Sequence, residues 1–121
     1  MFQAQLLMCS STGAVYSPWF PRQGDNTRVT TEVIAVGNSA TFTVTLHTKN
    51  QDETGDGSSA MTELDGDLSG VGVGRHFAEF GPSSSPGIKE LVRYKFDPGN
   101  TANGWVLFRM MPPVWFDTIK P

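Results

Sequence analysis

Apolar and polar side chains alternate one by one along several stretches of this chain, and this alternation predicts β-strands. Between residues 40 and 48, Phe42, Val44 and Leu46 alternate with threonines, which is typical of a pleated strand with one buried face. Residues 90–96 and 105–116 show the same period and carry many large apolar side chains. A turn-rich segment joins them, so we expect a hairpin whose buried side chains each stabilise the core by roughly 1.5 to 3 kcal/mol.

The remaining strands follow from the same signal. Residues 27–36 are rich in Thr and Val, and the tight Gly37-Asn-Ser39 segment predicts that they form a second hairpin with 40–48. Residues 2–8 predict a first strand, 58–68 a weak strand and 71–80 a glycine-rich strand. We find no amphipathic helix, repeat or domain boundary. Seven or eight short strands separated by turns indicate an all-β protein, a single antiparallel β-sandwich domain over residues 1–121, with the jelly roll as one candidate form.

Composition and charge argue against several classes of function. The 121-residue chain has net charge −3 with nine scattered Lys and Arg residues, which argues against nucleic-acid binding. Cys9 is the only cysteine, so an intrachain disulfide and a cysteine-built zinc site are excluded. No apolar run approaches the ~18 to 20 residues of a membrane span, and the start lacks the basic region of a secretory signal. A protein with only 17% charged residues is often covered in part by a partner.

Three motifs suggest chemistry, and each falls short. The spacing Asp52-x-Thr54-x-Asp56-Gly57 is close to a calcium loop, but a strand precedes it where an EF-hand needs a helix. We therefore expect the acidic residues of the loop at 49–57 to be exposed and dispensable. The alternative is a calcium site of another kind, and the carboxylates it would use are Asp52, Asp56, Glu63, Asp65 and Asp67. The glycines of residues 70–74 lack the spacing of a phosphate loop. His47 and His76 have no nucleophile motif beside them, so we expect surface or interface histidines, no enzyme activity and no cofactor.

The aromatic residues allow two interpretations. Four rings could form a flat platform for sugars, as in small carbohydrate-binding modules: Tyr94, Trp105, Trp115 and Phe116. The alternative is that they belong to the core, and we expect Trp105 to be buried. Trp19 and Phe20 lie between prolines and are expected to cap the core.

Unprotected strand edges predict a protein interface. Exposed edges in monomers usually carry Lys, Glu or other devices that prevent pairing. The first strand instead carries glutamines, and the C-terminal segment combines prolines with aromatic side chains, an extended form suited to docking. We expect this segment to lie beyond the last paired strand. The candidate interface residues are Gln3, Gln5, Pro112, Pro113, Trp115 and Phe116.

Three segments together resemble a known group of proteins: Leu46-x-Thr-Lys-Asn-x-x-Asp-x-Gly55, Ile88-Lys-Glu-Leu-Val-Arg-Tyr-Lys-Phe96 and Trp105-Val-x-Phe-Arg-Met-x-Pro-Pro-x-Trp115. They are similar to small β-rich virion proteins of tailed bacteriophages, and such proteins resemble the head decoration, or cement, proteins. The resemblance implies a β-rich module on the capsid surface that binds the major capsid protein and stabilises the shell. It also implies a homo-oligomer, with a trimer favoured. Alternatives are a tail or head-to-tail connector component and a carbohydrate-binding module.

Overall fold

A computed structural model describes residues 5–55 and 60–117, and its regular structure is almost entirely β. A short 3₁₀ helix, Ser10–Thr12, follows the first strand. Within the described residues, no helix has the length and apolar character that crossing a bilayer requires. The strands are β1 (Leu6–Cys9), β2 (Val15–Tyr16), β3 (Phe20–Pro21), β4 (Asn26–Gly37), β5 (Thr43–Lys49), β6 (Asp65–Gly66), β7 (Gly74–Phe80), β8 (Leu91–Asp97), β9 (Trp105–Met110) and β10 (Val114–Phe116).

The strands form two antiparallel sheets that pack face to face. Sheet A has the order β1-β9-β4-β7-β6, and β10 follows β9 along the same side of β4. In sheet B, β2 and β3 lie one after the other along one side of β8, and β5 pairs with its other side. The all-β sandwich predicted from the sequence is therefore confirmed.

The order of the strands is that of a jelly roll. Residues 60–71 run along the free side of β5, because Val44 N donates to Leu68 O (3.0 Å) and Met61 N donates to Leu46 O (2.8 Å). The middle of this segment, β6, pairs with β7 of the other sheet. Counting the segment as one strand, and likewise β2 with β3 and β9 with β10, gives eight strands in the described residues. The first, eighth, third and sixth belong to sheet A, and the second, seventh, fourth and fifth belong to sheet B, with β6 as the part of the fifth that also joins sheet A. Two interlocked Greek keys have this order.

Both predicted hairpins are wrong. Strands β8 and β9 lie in different sheets, as do β4 and β5, so each connection crosses the sandwich and does not turn back on its own sheet. Between β4 and β5, Asn38 and Ser39 adopt positive φ angles of 57° and 61°. Alternation shows which face of a strand is buried, but a face buried in a sandwich has the same pattern whichever strand pairs beside it.

The predicted inward faces are confirmed. Side chains of both sheets meet in one core, and the phenyl rings of Phe42 and Phe108 pack across it with centroids 4.2 Å apart. The inward positions of β5, β8 and β9 are Val44, Leu46, Val92, Tyr94, Phe96, Val106 and Phe108, and all are buried. Strand β4 adds Thr27, Val29, Thr31 and Val33. Phe20 caps this core as expected, with its ring 5.4 Å from that of Tyr94.

The C-terminal segment is part of the sheet. We expected residues 112–116 beyond the last paired strand, which is wrong: Val114, Trp115 and Phe116 pair with the start of β4. Trp115 is half-buried and packs against the core. The two prolines separate β9 from β10 because proline has no N–H for the ladder.

Candidate binding surfaces

The described residues offer no metal-binding cluster. No group of three His, Cys, Asp or Glu side chains in the described ranges could hold a metal ion. Asp52, Asp65 and Asp67 are exposed, whereas Asp56 lies outside the described residues. His47 is on β5 of sheet B and His76 is on β7 of sheet A. The prediction that His47 lies at the surface is wrong, because it is only 3% exposed and its ring contacts that of Tyr16 at 5.8 Å.

The predicted interface residues that are described border one edge of sheet A. Gln5 is exposed directly before β1, which pairs with β9 on the side away from β4. The prolines and β10 continue that edge: Pro112 and Phe116 are exposed, and Pro113 and Trp115 are half-buried. Gln3 lies outside the described residues. That these residues form an interface stays a prediction.

Beside this edge lies an apolar patch that the sequence analysis did not identify. Leu7 of β1 is paired with Leu107 of β9, and Cys9 with Trp105, all four on the outer face of sheet A. Leu7 is 64% exposed and Cys9 is exposed. Leu7, Cys9 and Trp105 line a shallow, almost wholly apolar hollow of about 360 Å³. We call Leu7, Cys9, Trp105 and Leu107 the apolar patch.

A glycine allows the indole of Trp105 to lie flat in this patch. We expected Trp105 in the core, which is wrong: it is half-buried on the outer face, opposite Gly37 of β4. A Cβ at Gly37 would overlap the indole ring. The useful signal was that Leu7, Trp105 and Leu107 occupy the strand positions opposite the buried ones, where polar side chains are normal.

Away from the patch, the outer face of sheet A is charged and balanced. Glu32 pairs with Arg75 and with Arg109, each at 3.2 Å, and Arg28 pairs with Glu79 at 2.8 Å. Hydrogen bonds from Arg75 and then Arg109 hold the pKa of Glu32 below its usual value. An open groove of about 430 Å³ beside these pairs is lined in part by Arg28, Arg75 and Phe77. Because its arginines already have carboxylate partners, this region favours no particular ligand.

The outer face of sheet B carries cations stacked with aromatic rings. The guanidinium carbon of Arg93 lies 4.2 Å from the ring centroid of Tyr16 and 4.6 Å from that of Trp19. Lys49 Nζ lies 4.9 Å from the Trp19 centroid, and Lys95 Nζ 5.9 Å from the Tyr16 centroid. We call Lys49, Trp19, Arg93, Tyr16 and Lys95 the cation ladder. Each cation–ring contact stabilises this surface by about 0.5 to 1 kcal/mol.

The proposed sugar platform does not assemble. Tyr94 is 8% exposed in the core between the sheets, and burial raises the pKa of its hydroxyl. Trp105 lies on the outer face of sheet A, while Trp115 packs against the core. At the surface of sheet B, Tyr16 and Trp19 each contact the guanidinium of Arg93, so a cation already lies against both rings.

Comparison with known proteins found nothing that identifies this chain. A scan against protein-family models gave no match, and searches of curated proteins and of solved structures gave no significant similarity.

Proposed function

We propose that this protein is a non-catalytic structural subunit of a virus particle, a capsid decoration protein that binds the major capsid protein and stabilises the shell. The observation that carries the proposal is the apolar patch beside an unprotected sheet edge. A binding partner that covers this surface would remove Leu7 and its neighbours from water.

The energetics favour a covered patch. Exposing Leu7 at 64% leaves most of its apolar surface in water, and full burial of such a side chain stabilises by roughly 1.5 to 3 kcal/mol. Strand β1 has no Lys, Glu or Pro to prevent pairing, and its outer side has no neighbouring strand among the described residues. A partner strand could therefore add main-chain hydrogen bonds to the apolar contact.

The jelly-roll order is compatible with this role but does not distinguish it from others. Viral capsid proteins, lectins and cupins all use jelly rolls, so the argument from the fold is one of analogy. The resemblance of residues 46–55, 88–96 and 105–115 to phage virion proteins favours the first of these. A tail or head-to-tail connector protein would use the same patch, and only its place in the particle would differ.

Purified particles provide the test. We expect the protein to copurify with capsids in a fixed ratio to the major capsid protein, and a Leu7→Lys, Leu107→Lys double variant to be lost from them. Val73→Lys is the matched control, since Val73 is 63% exposed but lies outside the patch, before β7. Finding the protein only in tail particles would assign it to the tail. Absence from all particles, or wild-type incorporation of the double variant, would contradict the proposal.

A further inference from the structure

We propose that the cation ladder binds the carboxylates of Asp65 and Asp67 of a second copy of this chain, so that copies associate head to tail. This contact uses surfaces other than the apolar patch and does not depend on the proposed function.

The ladder concentrates positive charge on a chain whose net charge is −3. No ion pair within the described ranges includes Lys49 or Lys95; the Lys49 ammonium donates to the carbonyl oxygen of Gly55 at 3.2 Å. On the outer face of sheet A, by contrast, Arg28, Arg75 and Arg109 are all paired with glutamates. The ladder therefore has the charge to attract an anionic group, and the opposite sheet face does not.

The aromatic rings also restrict the conformations of the cationic side chains before any ligand binds. Free lysine and arginine side chains lose rotamer entropy when they are immobilised, and this loss weakens surface ion pairs. Stacking against Tyr16 and Trp19 already restricts Arg93, and it places Lys49 and Lys95 at the two ends of the ladder. A ligand that binds here meets charges whose positions are largely fixed, which lowers the cost of binding.

The same chain contains a suitable anionic segment. Six of its twelve Asp and Glu residues lie between residues 52 and 67, and residues 50–74 contain no Lys or Arg. Asp65 and Asp67 are exposed, and each uses one oxygen to accept a local backbone N–H, from Gly66 and Ser69 respectively. Neither forms an ion pair with another described residue.

The two aspartates are accessible to a partner. Asp65 and Asp67 lie on either side of Gly66, and both are exposed. Asp65 also lies directly opposite Glu79, a like-charge neighbour across the strands. Glu79 already has Arg28 as its partner at 2.8 Å, so Asp65 is the carboxylate of the two that a cation from a second copy would bind.

The location of the two surfaces determines the kind of assembly. Asp65 pairs in register with the outward-facing Glu79 at the β6 edge of sheet A, whereas the ladder lies on the outer face of sheet B. A contact between different surfaces is heterologous, so it gives a ring if the rotation closes and an open chain if it does not. A trimer would be one closed form.

The experiment is sedimentation of the full chain at low and high ionic strength. We expect wild-type protein to associate at about 50 mM NaCl and to dissociate toward about 500 mM, because salt screens contacts between exposed charges. Two variants, Lys49→Glu with Lys95→Glu and Asp65→Lys with Asp67→Lys, should each associate at least about tenfold more weakly, since like charges then face each other. Mixed together, the two variants should associate again, because each supplies the charge that the other has lost.

Circular dichroism and the melting temperature report whether each variant is folded, and recovery in the mixture requires that both are. A wild-type monomer at low salt would overturn the proposal, as would association that salt does not weaken or a mixture that stays monomeric. Retention of a monomeric wild-type protein on heparin would assign the ladder to an anionic polysaccharide instead.

Discussion

Gly37 has no side chain, and the space that this leaves determines how Trp105 packs in the apolar patch. The Trp105 indole occupies the space that a Cβ would need, and no positive φ requires glycine there, so the packing alone explains the residue. Gly37→Ala should force the indole away from β4 and lower the free energy of unfolding by about 1 to 3 kcal/mol, as overpacking does. Chemical denaturation followed by tryptophan fluorescence measures this change.

Gly72→Ala is the matched control, because a Cβ at Gly72 has open space and should change stability by less than about 0.5 kcal/mol. In a Trp105→Ala background the Gly37→Ala cost should largely disappear. An equal cost in both backgrounds would contradict the packing explanation.

Glu63 should make folding depend on pH. Burial, partly offset by the hydrogen bond from Leu68 N, raises its pKa above the usual value. The folded state therefore holds the Glu63 proton more tightly than the unfolded state does. Protonated Glu63 favours folding at low pH, and this contribution to the free energy of unfolding is lost as the pH rises through the folded pKa. Glu63→Gln, which keeps an acceptor for Leu68 N, should raise the melting temperature at about pH 7 and make little difference near pH 4.

Glu32→Gln provides the opposite case. The lowered pKa of Glu32 means that its ion pairs stabilise the fold above the unfolded value of 4.5, and that this contribution is lost as the pH falls through the folded pKa. This variant should be less stable than wild type at neutral pH and similar in strong acid. If both variants were more stable than wild type at neutral pH, or both less stable, the opposite pKa shifts assigned to Glu63 and Glu32 would be contradicted.

At the scale of elements, the two aromatic side chains of β10 have different environments, although the sequence analysis assigned both to an interface. Trp115 packs against the core while Phe116 is 42% exposed, so their truncations should differ. Trp115→Ala should destabilise the fold by about 2 kcal/mol or more. Phe116→Ala should leave stability within about 0.5 kcal/mol of wild type. If Phe116 lies in an interface, its truncation should weaken particle binding by over about 2 kcal/mol. Equal stability losses would show that both rings belong to the core.

The strands themselves were predictable, but their partners were not. Alternation identified the buried faces of β5, β8 and β9 because each faces one core and the threonine or charged positions face outward. Pairing depends instead on where the connecting segments lead. Residues 98–104 have the composition of a hairpin turn, yet they carry the chain from sheet B to sheet A. The pairing of β10 was missed because Pro112 and Pro113 resemble the end of a strand.

At the scale of the whole molecule, the sequence predicted part of the candidate binding surfaces. The lack of charged guards at Gln5 and around β10 indicated an edge, and the structure places both along the same edge of sheet A. The cation ladder could not be predicted, because Trp19, Lys49 and Arg93 are distant in the chain and meet only when β3, β5 and β8 lie side by side. The cluster of six carboxylates is evident in the sequence, but the cation ladder that we propose binds two of them is not.

Cys9 provides the most direct measurement of the central claim, since it is exposed within the apolar patch and is the only cysteine of the chain. We predict that a maleimide reacts readily with Cys9 in the isolated protein. In purified particles the reaction should be at least about tenfold slower, because binding shields the patch, and denaturing the particles should restore it. Equal reactivity in particles and in the free protein would contradict the claim that the apolar patch is the docking surface.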